Sequence, residues 1–531
     1  MALNSVKETF ANPTEGTSEA AAGGATARPV DVLISGAGPT GLALGIDLAR
    51  RGVTTLIVER QDTLSRGARG TGIQPRTQEV YDDLGVLPAA HAASGLYPPM
   101  ALWEDGRIVR THEMVERGVP TPSAPYADIR MLPQWRNVRL LHDRLCDLGG
   151  SVQLDTALTD FTQDDDGVTA RLTGPDAAVR TVRARYLVAC DGGASTVRKR
   201  LDVRMTGPDL APGHAVLADI RLDGLDRDHW HRWMLPNGGF VGLLPMAGTD
   251  DFQMLAAAAG EPDTSHEAVR DLIATHTHLT RDQVREVLWT SLYRPKAGMV
   301  DAYRHGRVFL AGDAAHIHSP AGGQGLNTSV QDGYNLGWKL GQVLRHGAPD
   351  ALLDTYEAER RPIAADILAT STRLHRSGSL RRGRDLHQLG VGYPESPLTR
   401  ELRTGLAEGA RTAGDRAPDA PCTTADGTPT RLFDAFRGPH FTVLALDAPD
   451  LDTPALTKAA GSTPLHTVHV GGPTPDLLDP DGHLRAAYGT TPTVFLIRPD
   501  GYIAVAAPPE EATAALTETL RTHFGPTPVD A

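Results

Sequence analysis

A glycine-rich turn between a strand and a helix constrains this chain more than any other feature. Val30 to Ile34 is an apolar run typical of a buried strand, and Pro39 to Arg51 carries apolar residues at helical spacing. The turn between them follows the pattern G-x-G-x-x-G, in which backbone N–H groups and the helix dipole can meet a pyrophosphate. Val53 to Val58 predicts a second strand, and the acidic residue at its end is placed to bind a ribose hydroxyl. The sequence therefore predicts a βαβ unit that binds a dinucleotide through Gly36, Gly38, Gly41 and Glu59.

A second turn that carries a carboxylate follows the predicted strand Val308 to Ala311. It begins at Gly312-Asp313 and runs through His316 to Pro320, after which Gly325-Leu326-Asn327 opens a helix. Backbone donors at the start of that helix can face an electron-rich ring edge and stabilise negative charge on it, as a reduced flavin requires. The alternative for Asp313 is an N-cap or turn carboxylate.

Composition excludes several classes of protein. The chain has 531 residues, 40% of them hydrophobic, and no apolar run of about 18 residues that could span a bilayer. A net charge of −13 argues against a nucleic-acid surface, and three widely spaced cysteines argue against a disulfide framework or a cysteine metal cage. The first 28 residues lack the regions of a signal peptide, so a disordered leader is expected. We predict a cytoplasmic protein with no membrane, nucleic-acid or metal partner.

Three separated motifs resemble those of a known family. They are Gly36 to Gly41 with Glu59 and Arg60, then Cys190-Asp191-Gly192-Gly193-Ala194-Ser195 with Arg198, then Gly312 to Asn327. In this order and separation the chain resembles the class A FAD-dependent aromatic hydroxylases built like p-hydroxybenzoate hydroxylase, and more closely their polyketide-tailoring members. The resemblance covers residues 30 to 375 and the C-terminal unit.

The resemblance implies an α/β chain in three units. A Rossmann-like FAD-binding domain comprises residues 29–202 and 301–400. A substrate-binding domain with a mixed or antiparallel sheet comprises residues 203–300, and residues 97–130 contribute to it. Residues 416–531 resemble the thioredoxin-like domain appended to many polyketide hydroxylases. They contain no Cys-x-x-Cys pair, which argues against redox catalysis and favours a packing or oligomerisation role.

The resemblance also implies roles for individual residues. Glu59 would hold the adenosine ribose of FAD, and Arg60 would lie by the adenine. Asp313 would bind the ribityl and pyrophosphate region, while Pro320 and the backbone of Gly325, Leu326 and Asn327 would face the flavin ring.

Three further cofactor contacts follow from the same resemblance. Arg69 matches an arginine that touches the pyrophosphate and the incoming coenzyme, and Gln134 matches a ribityl contact. Asp191 belongs to a motif that lies near both FAD and the coenzyme. The alternatives are a solvated loop arginine and glutamine, and a surface Asp-Gly turn. Trp135, Arg136 and Asn137 follow Gln134 where many relatives have a Thr-Glu pair.

The implied reaction is a single-component monooxygenation that consumes dioxygen and NADPH or NADH. The flavin would swing outward to accept hydride, swing back, and form a C4a-hydroperoxide that oxygenates an aromatic polyketide in secondary-metabolite (antibiotic) biosynthesis. There is no second G-x-G-x-x-G turn, which fits a family whose coenzyme binds in a surface cleft. We expect a monomer or homodimer, and no catalytic residue is assigned.

Several alternatives stay open at this level. Baeyer–Villiger insertion begins from the same flavin intermediate, and a flavin halogenase or a non-catalytic flavin- or ligand-binding protein would share the cofactor domain. A set of apolar residues in the middle of the chain either lines a pocket or packs in a core, namely Trp103, Trp233, Phe240 and Met254. His316 and His318, two positions apart, are expected to point in opposite directions, as turn histidines and not as a metal site.

Overall fold

The fold is given by a computed structural model of the chain. It describes residues 30–67, 70–208, 210, 214–236, 238–258, 262–377 and 383–525. The expected leader, residues 1–28, and the predicted site residue Arg69 lie outside these ranges. Within them, no helix is both long and apolar enough to cross a membrane.

The first part of the chain alternates strands and helices, as the βαβ prediction requires. Its elements are β1 (Val30–Ser35), α1 (Pro39–Arg50), β2 (Thr55–Val58), β3 (Gly72–Ile73), α2 (Pro75–Asp83), α3 (Leu87–Ala93), β4 (Gly95–Leu96), β5 (Met100–Glu104), β6 (Arg107–His112), β7 (Arg130–Met131), α4 (Gln134–Asp147), β8 (Val152–Gln153), β9 (Ala157–Asp164), β10 (Gly167–Thr173), β11 (Val179–Ala189) and α5 (Thr196–Arg200).

The middle of the chain adds a set of antiparallel strands and then returns to the first sheet. Its elements are β12 (His214–Leu222), β13 (Trp230–Met234), β14 (Phe240–Pro245), β15 (Phe252–Ala258), α6 (His266–His276), β16 (Val284–Tyr293), β17 (Gly298–Met299), β18 (Arg304–His305), β19 (Val308–Leu310), β20 (His316–Ile317), α7 (Gly325–His346) and α8 (Asp354–Ser377).

The last part of the chain forms a sheet of its own. Its elements are β21 (Arg400–Glu401), β22 (Pro421–Thr424), β23 (Pro429–Arg431), α9 (Leu432–Phe436), β24 (Phe441–Leu446), α10 (Thr453–Ala460), β25 (Leu465–Val470), β26 (Leu477–Leu478), α11 (His483–Tyr488), β27 (Thr493–Ile497), β28 (Ile503–Ala507) and α12 (Pro509–Thr519).

A mostly parallel sheet forms the centre of the nucleotide-binding unit, with strand order β18-β19-β11-β1-β2-β8. Strands β19, β11, β1 and β2 are mutually parallel, and the antiparallel pair β9 and β10 extends from the first half of β11. Because these four strands run in one direction, their carboxyl ends meet at a single edge. The predicted α/β fold class is confirmed.

Helices α1 and α7 pack against each other through a row of glycines on α7. A Cβ on Gly333 would lie 2.7 Å from the Thr40 carbonyl oxygen, and one on Gly337 would lie 2.5 Å from the Asp47 carboxylate. Both distances are too short for any side chain, so these glycines allow the two helices to approach closely. The packing places α7 directly on the first helix of the dinucleotide-binding unit.

The second sheet has the order β16-β12-β15-β14-β13-β5-β6, so strands β5 and β6 from the first part of the chain complete it. One face packs on α6 through a buried apolar cluster that contains Trp233 and Met254, with Trp103 packed against it. Trp233 and Met254 therefore belong to a core, whereas Phe240 is only partly buried and lies outside this cluster. Successive residues of each strand point alternately to this face and to the other. The residues of β15 on the other face are Gln253, Leu255 and Ala257, which are only partly buried.

The C-terminal sheet contains the strand order β28-β27-β24-β25, in which β24 and β25 are parallel and β27 is antiparallel to β24. Its thioredoxin-like character stays a prediction. The C-terminal unit packs against α7. The rings of Phe441 and Phe524 lie edge-on to the Trp338 ring of α7, with ring centroids 5.6 and 5.8 Å from it.

A buried turn from the C-terminal unit enters the nucleotide-binding unit. Arg498 and Asp500 are 3% and 1% exposed, and Arg498 forms two hydrogen bonds to the Glu359 carboxylate of α8, at 2.6 and 2.9 Å. Lys339 of α7 donates to the same carboxylate at 2.7 Å. A Pro-Asp-Gly turn, a pattern typical of protein surfaces, is here part of a fully buried ion cluster.

Candidate active site

Four predicted motifs meet at the carboxyl edge of the parallel sheet. The ends of β2, β1, β11 and β19 lie side by side, as the paired residues Val58, Ser35, Ala189 and Leu310 demonstrate. Each strand is followed by one motif: Glu59 after β2, Gly36 after β1, Asp191 after β11 and Gly312-Asp313 after β19. Residues up to 277 positions apart in the chain therefore line one edge.

The glycine turn is shaped for close backbone approach. Gly36 has φ +105°, and a Cβ there would lie 2.3 Å from the Cys190 carbonyl oxygen. A Cβ on Gly41 would lie 2.1 Å from the Gly36 carbonyl oxygen. Gly38 differs, because the position of its Cβ has no heavy atom within 4 Å. It is the N-cap of α1 and has no side chain to cap the helix, so the first backbone N–H groups of α1 receive no hydrogen bond from the N-cap residue.

The Glu59 carboxylate accepts hydrogen bonds from two backbone N–H groups, one in the glycine turn and one just after Glu59 itself. Its Oε2 accepts a hydrogen bond from Ala37 N at 3.0 Å, and its Oε1 accepts one from Gln61 N at 3.1 Å. Arg60 beside it is exposed. The carboxylate is thus fixed beside the glycine turn, where a ribose attached to a pyrophosphate would lie.

Asp191 has one oxygen satisfied and one oxygen buried without a hydrogen bond. Its Oδ2 accepts from Thr196 N at 2.7 Å, while no described atom pairs with Oδ1. Burial raises the pKa of this carboxyl above its ordinary value. Arg198 donates to the Gly193 and Ala314 carbonyls at 2.7 and 3.1 Å, and so connects the motif after β11 with that after β19.

The segment expected to face the ring contains a second uncapped helix start. Asp313 lies in a short 3₁₀ turn, Gly312–Ala314, and both Asp313 and Pro320 are exposed. Helix α7 begins at Gly325, and its N-cap residue Gln324 makes no side-chain hydrogen bond to the helix. The first N–H groups of α7, from Gly325 to Asn327, can therefore receive a negatively charged ring edge.

Asn327 and Gln134 fix the loop opposite α7. Asn327 accepts from Gln74 N at 2.8 Å and donates to the Gly72 carbonyl at 2.9 Å. The Oε1 of Gln134 accepts from Gly70 N at 3.1 Å, and a Cβ on Gly70 would lie 3.6 Å from a Leu326 methyl. The site residues on both sides of the expected ring position are thus brought together.

These features fit FAD. The glycine turn and the open space at Gly38 accommodate a pyrophosphate, Glu59 a ribose, the unpaired Asp191 oxygen a donor group, and the α7 N-terminus a ring edge. In the part of the chain that the structure describes, no cluster of three metal-binding side chains occurs.

The second sheet faces this site with the side that α6 does not cover. Trp289 on β16 pairs with Asp219 on β12, on the face opposite the α6 core. A Cβ on Gly67 would lie 2.2 Å from the Trp289 indole, so Gly67, in the segment between β2 and β3, packs against this face.

The two histidines after β19 do not point apart as expected. The Nε2 of His318 lies 2.9 Å from the Nδ1 of His316, and His316 Nε2 lies 2.5 Å from the Asp332 carboxylate. The strand is only His316–Ile317, so the alternation of a pleated strand does not extend to residue 318. The expectation of separate turn histidines was wrong: they form a buried chain.

Sequence reasoning missed Asp332 and Arg360, which are both fully buried. Asp332 accepts from Gly312 N at 3.1 Å and from Arg360 Nε at 2.7 Å. Each of the two long helices carries a charged residue on its apolar face. Charged residues are rarely buried unless they are paired, so this pattern could have indicated that Asp332 and Arg360 meet.

Comparisons with known proteins identify the family. Residues 29–371 match the FAD binding domain family, and residues 410–527 match the aromatic-ring hydroxylase C-terminal family. A flavin-dependent monooxygenase of Mycobacteroides abscessus is 40% identical over 488 residues, which cover 89% of this chain and 96% of that protein. The 12-dehydrotetracycline 5-monooxygenase/anhydrotetracycline 6-monooxygenase of Streptomyces rimosus is 35% identical over 93% of this chain and 99% of its own.

A solved structure supports the same assignment. The ternary complex of aklavinone-11 hydroxylase with FAD and aklavinone superposes with a TM-score of 0.75 at 30% identity, covering 93% of this chain and 99% of that one. The predicted resemblance is confirmed over both regions. The chain belongs to the FAD-dependent aromatic-ring hydroxylases, and it is a flavoprotein monooxygenase.

Proposed function

We propose that this enzyme uses NADPH or NADH and dioxygen to hydroxylate an aromatic polyketide during secondary-metabolite biosynthesis. The observation that carries the proposal is the meeting of the four strand-end motifs at one sheet edge with the uncapped start of α7. The names of similar proteins support the substrate class, since they include enzymes acting on anhydrotetracycline and a hydroxylase bound to aklavinone.

The chain binds and orients the cofactor. The glycine turn and the first turn of α1 bind the pyrophosphate through backbone N–H groups, and Glu59 binds the ribose of the adenosine. When bound, FAD supplies hydride acceptance and activation of dioxygen. The N–H groups at the start of α7 would stabilise negative charge on a ring edge placed there, because they are already oriented.

The second sheet supplies a wall that excludes water. Leu244, on the face away from α6, packs in a buried cluster with Tyr97, Ile129 and Met131. Next to this cluster, the same face presents Leu255 of β15 and Trp289 of β16, which are partly buried. A planar polycyclic substrate fits between such side chains and the flavin, and burial of its rings supplies the binding energy.

The test is substrate-stimulated turnover of the FAD-loaded enzyme. NADPH and NADH oxidation, oxygen uptake and hydrogen peroxide release would be measured with and without polycyclic phenols and quinones, followed by product masses. We expect stimulated oxidation and a product heavier by one oxygen atom on an intact ring system. A ring-expanded product of the same mass would indicate Baeyer–Villiger insertion, and ligand binding without stimulated oxidation would contradict the proposal.

Two variants of β16 provide a matched comparison. Trp289→Ala removes a ring from the wall that faces the cofactor, whereas Leu288→Ala alters the neighbouring residue, which is 38% exposed. We expect Trp289→Ala to raise KM about tenfold or more, from the loss of about 1.5 kcal/mol or more of aromatic burial. Leu288→Ala should leave KM unchanged.

We also propose that the enzyme works in the cytoplasm as a monomer or homodimer. The three cysteines are all free, as a reducing compartment requires. Size-exclusion chromatography coupled to light scattering would give the oligomeric state directly.

A further inference from the structure

Asp332 is the centre of a buried network beneath the cofactor edge. It lies on α7 with no exposed surface, and its Oδ2 accepts from Gly312 N at 3.1 Å and from His316 Nε2 at 2.5 Å. Its Oδ1 accepts from Arg360 Nε at 2.7 Å. Burial alone would raise the pKa of Asp332, but His316 and Arg360 outweigh burial and hold that pKa below its ordinary value. The carboxylate is therefore ionised and has a positive partner.

One branch of the network passes through the two histidines. His316 donates its Nε2–H to Asp332, and a further hydrogen bond of 2.9 Å joins His316 Nδ1 to His318 Nε2. Burial lowers the pKa of His318 well below its ordinary value, so this ring is neutral. Its carbon atoms lie 3.9 Å from the position of a Cβ on Gly325, the first residue of α7. This branch therefore ends beneath the helix start that receives the ring.

The other branch passes through Arg360 to the segment after α8. Arg360 is fully buried and donates to the Tyr393 hydroxyl at 2.9 Å and to the Thr328 carbonyl at 3.1 Å. Thr328 lies in the first turns of α7, so Arg360 also holds that helix start. The ring of Tyr393 packs on that of Tyr502, with centroids 4.4 Å apart, at the buried C-terminal turn.

We propose that Asp332, held by Arg360 and Tyr393, is a positioning residue that fixes the two cofactor-binding segments relative to each other. One segment is the Gly312-Asp313 turn, and the other is the start of α7. Because Asp332 has no exposed surface, it acts on the site through Gly312 N–H and His316. The proposal rests on the flavin site described under the proposed function and deepens it.

The segment from Gly312 to Gln324 depends on side-chain contacts such as those of Asp332 for its position. The turn at Gly312 has φ +59°, and the loop from His316 to Gln324 contains no regular element after β20. Such a segment has no ladder of hydrogen bonds to fix it, so its position depends on side-chain contacts. A carboxylate has several acceptor sites, and here it receives three donors, two from the segment after β19 and one from α8.

The first test compares Tyr393→Phe with Tyr502→Phe. The two tyrosines are neighbours with similar exposure, 5% and 3%, but only the Tyr393 hydroxyl receives a hydrogen bond from Arg360. The dissociation constant of FAD would be measured by flavin fluorescence on titration with apoprotein, without coenzyme or substrate. We expect Tyr393→Phe to weaken FAD binding about 10- to 20-fold, the lower end of the range of a hydrogen bond to a charged group because this bond acts on FAD indirectly, and Tyr502→Phe to change it less than about twofold.

Melting temperatures of the two apoproteins separate positioning from general packing. The proposal expects similar melting temperatures for both variants, and a changed visible flavin spectrum only in Tyr393→Phe. Equal FAD affinities in the two variants, or a loss of affinity that follows the melting temperature, would overturn it. A protein that binds FAD normally but fails to oxygenate any substrate would leave this result unaffected.

A stronger variant addresses Asp332 directly. Asp332→Asn keeps the shape and one acceptor oxygen but removes the charge, and it leaves Arg360 without a carboxylate. We expect a larger loss of FAD affinity than in Tyr393→Phe, together with the same kind of spectral change. If Asp332→Asn folds and binds FAD as the unaltered protein does, the proposal is wrong; if it does not fold, the tyrosine pair decides.

Discussion

Substituting Gly38 with alanine should weaken FAD binding without weakening the fold. Most glycines of this turn cannot carry a side chain, but Gly38 has φ −75° and open space at its Cβ position. A methyl group there meets no protein atom within 4 Å. It does occupy the space at the N-terminus of α1 that a pyrophosphate requires, since the phosphate oxygens must reach the backbone N–H groups.

The size of the effect follows from the hydrogen bonds that are lost. A methyl group extends about 1.5 Å from Cα, enough to move a phosphate oxygen out of hydrogen-bonding range of one backbone N–H. A hydrogen bond to a charged group contributes about 1.5 to 3 kcal/mol. The dissociation constant of FAD should therefore rise by about 10- to 150-fold.

The assay is fluorescence titration of FAD with apoprotein, combined with the melting temperature of the apoprotein. Gly390→Ala is the matched control, because Gly390 is exposed, lacks a positive φ and has no heavy atom within 4 Å of its Cβ position. Gly38→Ala should lose affinity at an unchanged melting temperature, and Gly390→Ala should change neither. Unchanged FAD affinity in Gly38→Ala would refute the placement of the pyrophosphate at this turn.

Three further predictions concern the fold and its ion cluster. Gly36→Ala should lower the unfolding free energy by about 2 kcal/mol or more, from φ +105° and the contact with Cys190, and thermal melting of the apoprotein would detect it. Arg498→Met should cost about 3 to 5 kcal/mol in urea unfolding because it leaves Glu359 buried with too little positive charge. Arg485→Met removes the partner of Asp447 in a pair whose side chains are 32% and 35% exposed, and should cost less than about 1 kcal/mol. Burial lowers the pKa of Lys339 from 10.5 to about 8, so between these pH values the folded state binds fewer protons and stability rises with pH. Lys339→Met should lack this rise in urea unfolding measured from pH 7.5 to 10.5, and the same slope in both proteins would contradict the assignment.

Much of the cofactor site could be predicted because each motif directly follows its own strand. The Gly36 turn, Glu59, Asp191 and the Gly312-Asp313 turn are local patterns, and parallel strands bring their ends to one edge whatever the intervening length. Sequence alone left Trp233 and Met254 between a pocket lining and a core, and the structure decides for a core because both lie on the sheet face that packs on α6.

The remaining features depend on pairings between distant segments. His316 and His318 were expected to diverge, and only the bend after the two-residue strand and the presence of Asp332 on α7 brings them together. Likewise, the Pro-Asp-Gly turn after Arg498 has a sequence typical of protein surfaces. Nothing near it in the sequence indicates that Arg498 contacts Glu359, which also binds Lys339. Such contacts are set by how whole helices pack, which local patterns do not determine.

The buried turn at Arg498 also has a consequence for how the chain is made. A ribosome delivers the nucleotide-binding unit first, and Glu359 emerges about 140 residues before its arginine partner. Before Arg498 is synthesised, the Glu359 carboxylate needs water as a partner. The surfaces of α7 and α8 around it therefore cannot pack fully. The flavin unit therefore completes its packing only after the C-terminal strands have been synthesised, and nascent chains stopped before residue 498 should be captured by chaperones more than the finished protein is.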